Sequence, residues 1–311
     1  MWRAPYPALA LAAAMAPACA PKTTPADLAI EHVRVVDVRS GAVLPDQTVL
    51  VANGRIAAVG PSPSVRGAGG RTIDATGRYL VPGLWDAHVH SVENAAWHLP
   101  LFVAHGITAI RSFNPGTDDA IQLTQSVRDR LGRGDLLGPR MIAGGPSVDG
   151  SPPAATKPII ASSADEARRA VDTLADAGMD LVKVYELLSR DAYFALMERA
   201  RERGIPVDGH VPFRVQPGEA AEAGQRTIEH LRGLEWGCAA DARAQRAALE
   251  RLIGRLDRLP MEEQVLAVAR SQRALFDARD EALCAATAAV YRRFGLAVTP
   301  TPERMSAAEV P

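Results

Sequence analysis

Four histidines and one lysine carry the chemistry legible in this sequence. His88 and His90 stand two residues apart at the end of Val81-Pro82-Gly83-Leu84-Trp85-Asp86-Ala87-His88-Val89-His90. Side chains alternate along a strand, so both imidazoles face the same way. Two neutral imidazoles at a strand end can grip one divalent ion. Taken alone, the pair reads equally well as two buried histidines bonded to backbone. Later residues tilt the reading toward metal. Lys183 lies in Leu181-Val182-Lys183-Val184-Tyr185, an apolar strand where an ammonium is expensive to bury. His210 lies in Val207-Asp208-Gly209-His210-Val211-Pro212, and His230 in Thr227-Ile228-Glu229-His230-Leu231. Each of these two, read singly, is a structural histidine. As the third and fourth members of an ordered strand-end set, they read as ligands. Arg111 and Tyr185, also at strand ends, are candidate catalytic residues. His32, His98 and His105 are expected to bind no metal.

The elements around these residues follow from pattern. Residues 80–90 read as one strand buried on both faces. Before it, residues 27–38, 47–60 and 71–80 read as strands, with Asn53-Gly54 as a hairpin turn. After it, strand and helix patterns alternate, the signature of parallel βα units. Strands are expected at residues 106–113, 139–144, 180–185, 205–211, 226–231 and 296–301. Thr117 is read as the cap of a helix reaching Leu131. Ser163 opens a capping box closed by Glu166, and Ser189 caps a helix ended by Gly204. Residues 241–294 look helical, broken near Pro260, with Leu252, Leu256, Leu266, Leu275, Leu283 and Val290 as core positions.

The stretch from Val81 to His90 resembles the first barrel strand of the amidohydrolase superfamily, in its imidazolonepropionase-like and prolidase-like branch. Gly209-His210-Val211-Pro212 and Ile228-Glu229-His230-Leu231 resemble that family's fifth- and sixth-strand motifs. The resemblance implies an α/β fold: a TIM-type (β/α)8 barrel over residues 80–311, with residues 27–79 as half of a β-sandwich. It further implies divalent metal, zinc first, as one or two ions: one on His88 and His90, the other on His210 and His230. Lys183, carboxylated by carbon dioxide in such proteins, would lie between them as a carbamate. The activity implied is hydrolysis of a C–N bond in a small amide, dipeptide or cyclic amide by metal-activated water.

Two features depart from the family pattern. The family carries an aspartate on the eighth strand, but after Thr301-Pro302 the only acids are Glu303 and Glu309, so the barrel is expected to lack its eighth strand and the chain to be truncated. Arg111-Ser112 also stands where relatives often carry Arg-Asp. A second expectation therefore stays open, that of a catalytically impaired remnant or fragment that still binds metal.

Composition narrows the partners. A net charge of −1 leaves no basic footprint for nucleic acid, and 47% hydrophobic with 23% charged residues suits a globular chain. Its 311 residues suffice for one large barrel or two ordinary domains. Residues 1–20 read as a secretory signal peptide: Arg3, a short apolar run from Ala8 to Ala16, then small residues around Cys19. Ala16-Pro17-Ala18-Cys19 also resembles a poor lipobox. The expectation is an exported chain, periplasmic or lipid-anchored through Cys19, with a disordered Ala/Pro-rich leader as the alternative. Cys238 and Cys284 have no paired metal spacing; two buried thiols are expected, with a disulfide as the alternative.

Overall fold

The computed structural model describes residues 22–301 apart from Asn114, Arg232 and residues 257–259. The leader, with Cys19, and the acids Glu303 and Glu309 lie outside the described residues. The chain divides between Pro82 and Gly83 into two units.

The first unit is all strand: β1 (Lys22–Pro25), β2 (Leu28–Val36), β3 (Val43–Ala52), β4 (Arg55–Pro61), β5 (Val65–Ala68), β6 (Arg71–Asp74) and β7 (Tyr79–Leu80). β2 and β3 pair antiparallel, and β3 turns into β4 at Asn53-Gly54. Both turn residues take positive φ, 51° and 69°, as a primed hairpin turn requires. β6 and β7 run parallel to β2, and β1 pairs with β5 as a separate two-stranded sheet. Ala29 and Leu50 are buried together under this hairpin, beside a second small cluster of Val33, Val49 and Ala75.

The second unit alternates strand and helix. It begins with β8 (Leu84–Val89), α1 (Ala95–Ala104), β9 (Ile107–Ser112), α2 (Ala120–Arg133) and β10 (Arg140–Ala143). It continues through β11 (Val148–Asp149), β12 (Ile159–Ile160), α3 (Ala164–Asp176), β13 (Val182–Val184), α4 (Arg190–Arg203), β14 (Val207–Gly209), α5 (Pro217–Glu222) and β15 (Thr227–Glu229). Four helices follow, α6 (Leu234–Cys238), α7 (Ala242–Leu256), α8 (Met261–Asp277) and α9 (Glu281–Phe294), before β16 (Ala297–Thr299).

All strand pairs of this unit are parallel. β8, β9 and β10 form one sheet, and β12-β11-β13-β14-β15-β16 form another. Where the two meet, Asp180 N donates to Ala143 O at 2.9 Å, so the chain of strands continues from β10 toward β13. The result is an α/β fold with parallel sheets and, among the described residues, no closed barrel.

Its main core lies where α3 and α4 cover β13 and β14, with Val171, Leu174, Val182, Leu196 and Tyr193 fully buried. The helix signals act as read. Ser163 and Glu166 close a capping box, Ser189 Oγ accepts from Ala192 N, and Gly204 ends α4 in the left-handed conformation.

Several expectations are corrected. The single strand over residues 80–90 is two: β7 belongs to the first unit and β8 starts at Leu84. β8 is also not buried on both faces: Leu84 and Trp85 are exposed, and among the described residues β8 is an edge strand paired only with β9. Thr117 caps nothing, since a turn occupies residues 117–119 and α2 starts at Ala120. Leu266 and Leu283 face outward, while Leu275 on the inner stripe of α8 is buried. Leu256 falls among side chains outside the described set. Finally, Cys238 and Cys284 are not separate thiols: α6 and α9 bring their Cα atoms to 4.3 Å, and a disulfide joins them.

Candidate metal centre

Parallel register builds the site in rows. Lys183 on β13 lies level with Asp208 on β14, which lies level with Thr227 on β15. Glu229 lies level with Thr299 on β16. Strand alternation then puts Lys183 with Tyr185, Asp208 with His210, and Thr227 with Glu229 on shared faces. Lys183, Asp208 and Glu229 are almost wholly buried.

The histidines sit one step above these rows. His88 is the last but one residue of β8, and His90 follows the strand. His210 follows β14 and is fixed by its N–H donating to Val184 O at 3.0 Å. His230 follows β15 with φ 57°, an unusual conformation for a residue with a Cβ. Its N–H still donates to Thr299 O at 2.9 Å. The left-handed turn keeps the His230 ring near the others although Glu229, its chain neighbour, already points inward.

The structure brings all four rings together. Ring centroids are 4.3 Å apart for His88 and His230, 5.2 Å for His88 and His90, and 5.4 Å for His210 and His230. Tyr185 stacks 4.2 Å from His210. Lys183 Nζ lies 4.5 Å from the centre of the Phe113 ring and 5.8 Å from that of Tyr185. His98 lies on α1, His105 ends it, and His32 pairs with Asp46 in the first unit.

The rings of His88, His210 and His230 each have Nδ1 engaged by an oxygen. His88 Nδ1 lies 2.6 Å from Glu229 Oε2, His210 Nδ1 lies 3.1 Å from Glu186 Oε1, and His230 Nδ1 meets Thr301 Oγ1. Ligating imidazoles are held this way, their second nitrogen fixing tautomer and ring angle. Burial, followed by the positive charge of Lys183, pushes the His88 imidazole down to about 2, so it is neutral at physiological pH.

Arg111 braces this arrangement from β9. Its five N–H donors meet five acceptors: Nε to Ala87 O at 2.7 Å, Nη1 to Asp208 Oδ2 at 2.9 Å and Thr227 Oγ1 at 3.1 Å, and Nη2 to Glu229 Oε1 at 2.7 Å and Thr299 Oγ1 at 3.0 Å. One side chain from the three-stranded sheet thus bonds three strands of the six-stranded one.

A divalent ion fits part of this geometry. His88 Nε2 and His90 Nε2 are 3.2 Å apart. Two nitrogens bound tetrahedrally at about 2.05 Å would stand roughly 3.3 Å apart. Among the described residues, however, no three His, Cys, Asp or Glu side chains are arranged to enclose an ion. The donors fit as a pair with its orienting partners rather than as a finished cage.

Asp208, Glu229, Glu186 and Thr227 escaped the sequence reading. The signal was present for two of them. Asp208 and Glu229 are acids inside apolar strands, the same anomaly that singles out Lys183. Glu186 and Thr227 carried no such mark.

No family model matches the chain. An adenine deaminase of Mesorhizobium japonicum is 43% identical over 91 residues, 28% of this chain and 15% of that protein. An adenine deaminase of Chelativorans sp. is 31% identical over 195 residues, 60% of this chain and 32% of that protein. Among solved structures, bottromycin amidohydrolase superposes with a TM-score of 0.56 at 25% identity, covering 79% of this chain and 48% of that one. A putative prolidase from Bifidobacterium longum gives 0.58 at 25% identity, covering 70% and 56%. The chain therefore spans less than a third of these deaminases and about half of these two structures. These likenesses, together with the parallel βα units, support a place for the chain in the amidohydrolase superfamily.

Proposed function

We propose that the chain is a metal-dependent hydrolase of C–N bonds in small molecules, with its centre on His88, His90, Lys183, His210 and His230. The observation that carries this reading is the convergence of four strand-end imidazoles, with His88 and His90 presenting Nε2 atoms at 3.2 Å. In this reading β8, β9, β10, β13, β14, β15 and β16 are successive staves of a TIM-type barrel, and the first unit is half of a β-sandwich. The reach of Arg111 across to β14, β15 and β16 supports such curling.

A divalent ion held there, zinc first, would supply Lewis acidity toward a carbonyl oxygen or ring nitrogen and would lower the pKa of a water to about 7. The chain's own residues do the rest. His88 stays neutral, with its Nδ1 side against Glu229. Tyr185 packs on His210 and holds that ring's angle. Lys183, as a carbamate, turns a buried cation into an anionic oxygen donor beside the imidazoles. The substrate class is a small amide or dipeptide; the deaminase relatives add an amino-substituted ring as an alternative target. The exported leader and an anchor at Cys19 belong to the same proposal, as does the absence of any nucleic-acid partner.

The test is metal content after zinc loading and dialysis. The double variant His88→Ala, His90→Ala should lose at least one equivalent, while His98→Ala should match the parent. Release of amine or ammonia from dipeptides, N-acyl amino acids and adenine then identifies the bond cleaved. Equal metal loss in both variants, or no retention by the parent chain, would sink the reading.

A further inference from the structure

Glu229 and Arg111 sit just beneath the imidazoles, and neither was part of the expected ligand set. Glu229 is fully buried, and its two oxygens divide their work. Oε2 faces His88 Nδ1 at 2.6 Å, and Oε1 takes Arg111 Nη2 at 2.7 Å together with the Thr227 hydroxyl. A carboxylate can only accept, so His88 Nδ1 must be the donor. The proton therefore sits on Nδ1, and Nε2 carries the lone pair. That nitrogen is the one that faces His90 Nε2.

Arg111 keeps Glu229 in place. Every one of its five N–H donors is engaged within the protein, and four of their acceptors lie on β14, β15 and β16. A guanidinium so committed has no hydrogen left for a substrate. Its Nε bond to Ala87 O also grips the backbone immediately before His88. Arg111 therefore holds the histidine twice, through its chain and through its carboxylate.

We propose that Glu229, clamped by Arg111, is a positioning residue that holds His88 in the Nδ1–H tautomer with Nε2 presented to a metal, and that Arg111 acts through it rather than on substrate. This deepens the metal-hydrolase reading and rests on it. Partners of this kind are worth about 10–100-fold in metal affinity.

The test begins with the metal-free protein. Long-range proton–nitrogen NMR should find the His88 proton on Nδ1. In Glu229→Gln the amide cannot accept from both His88 and Arg111, and the tautomer should shift toward Nε2–H. Zinc affinity, read by competition with a chromogenic chelator, should fall 10–100-fold. Asp208→Asn removes a comparable buried charge from Arg111 but leaves the Glu229–His88 bond. Its affinity loss should be at least tenfold smaller, although its loss of stability should be similar. A His88 proton on Nε2 in the parent protein overturns the inference without any variant. So does an equal loss of affinity in the two variants. If the parent binds no zinc at all, the metal reading fails, and the tautomer measurement still decides the role of Glu229.

Discussion

Replacing Arg111 with methionine should be among the costliest single changes in the second unit. Methionine keeps most of the apolar stem and removes five hydrogen bonds at once. Asp208 and Glu229 are both fully buried. Glu229 would keep His88 and Thr227. Asp208 would keep no hydrogen bond, because its Oδ1 already has no partner among the described residues and Oδ2 relies on Arg111. Removing one member of a buried pair costs about 3–5 kcal/mol. A unit of this size loses about 2–4 °C per kcal/mol, so its melting temperature should fall by roughly 6–20 °C.

The sign with pH follows from the same charges. Burial already raises the Asp208 carboxyl, and Arg111 holds it back. Without Arg111 its folded value climbs further above the unfolded one, so the folded state prefers the protonated acid. Stability from such a group is present at low pH and lost as pH rises. Arg111 also helps depress His88, so its loss favours the variant in acid a second time. The deficit relative to parent should therefore be largest near neutrality and narrow toward pH 5. Thermal unfolding of chelator-treated parent and variant at both pH values decides the matter. A drop of less than about 2 °C, against the several kcal/mol expected for a broken buried pair, would refute the bracing role. So would a deficit that widens in acid.

Other outcomes follow from the same structure. The metal-free parent should itself lose about 2 kcal/mol between pH 7 and pH 5 through His88, because the unfolded imidazole gains a proton below its ordinary 6.5 and the folded one, down at about 2, does not; urea titrations at the two pH values measure it, and a flat profile contradicts the burial. Cys284→Ser opens a cross-link spanning 46 residues, for which loop-closure entropy gives about 4 kcal/mol at most. Its melting point should fall below that of the oxidised parent and match that of the reduced parent. Gly209→Ala should yield little folded protein, since Gly209 holds φ 130° and an added Cβ would meet Val184 O at 2.2 Å between β13 and β14; wild-type yield and melting behaviour would contradict that register.

Much of the site was readable before the fold, because it rests on local rules. Period-two alternation alone puts His88 with His90, and an apolar strand makes Lys183 anomalous wherever it lies. Helix caps at Ser163, Ser189 and Gly204 were equally legible, since each depends on residues within one turn. What needed tertiary structure was every relation between distant strands. The Glu229 carboxylate reaches His88 across 141 residues, and Arg111 finds its acceptors up to 188 residues away. Nothing local tells an acid in Thr227-Ile228-Glu229 which imidazole it will face, because register and sheet curvature decide that. Burial of β8 failed for a related reason. Its residues have the apolar character of a central strand, but neighbours set exposure, and among the described residues only β9 pairs with β8. Cys238 and Cys284 show the same division: each thiol is local, while the bond between them exists only because α6 packs against α9.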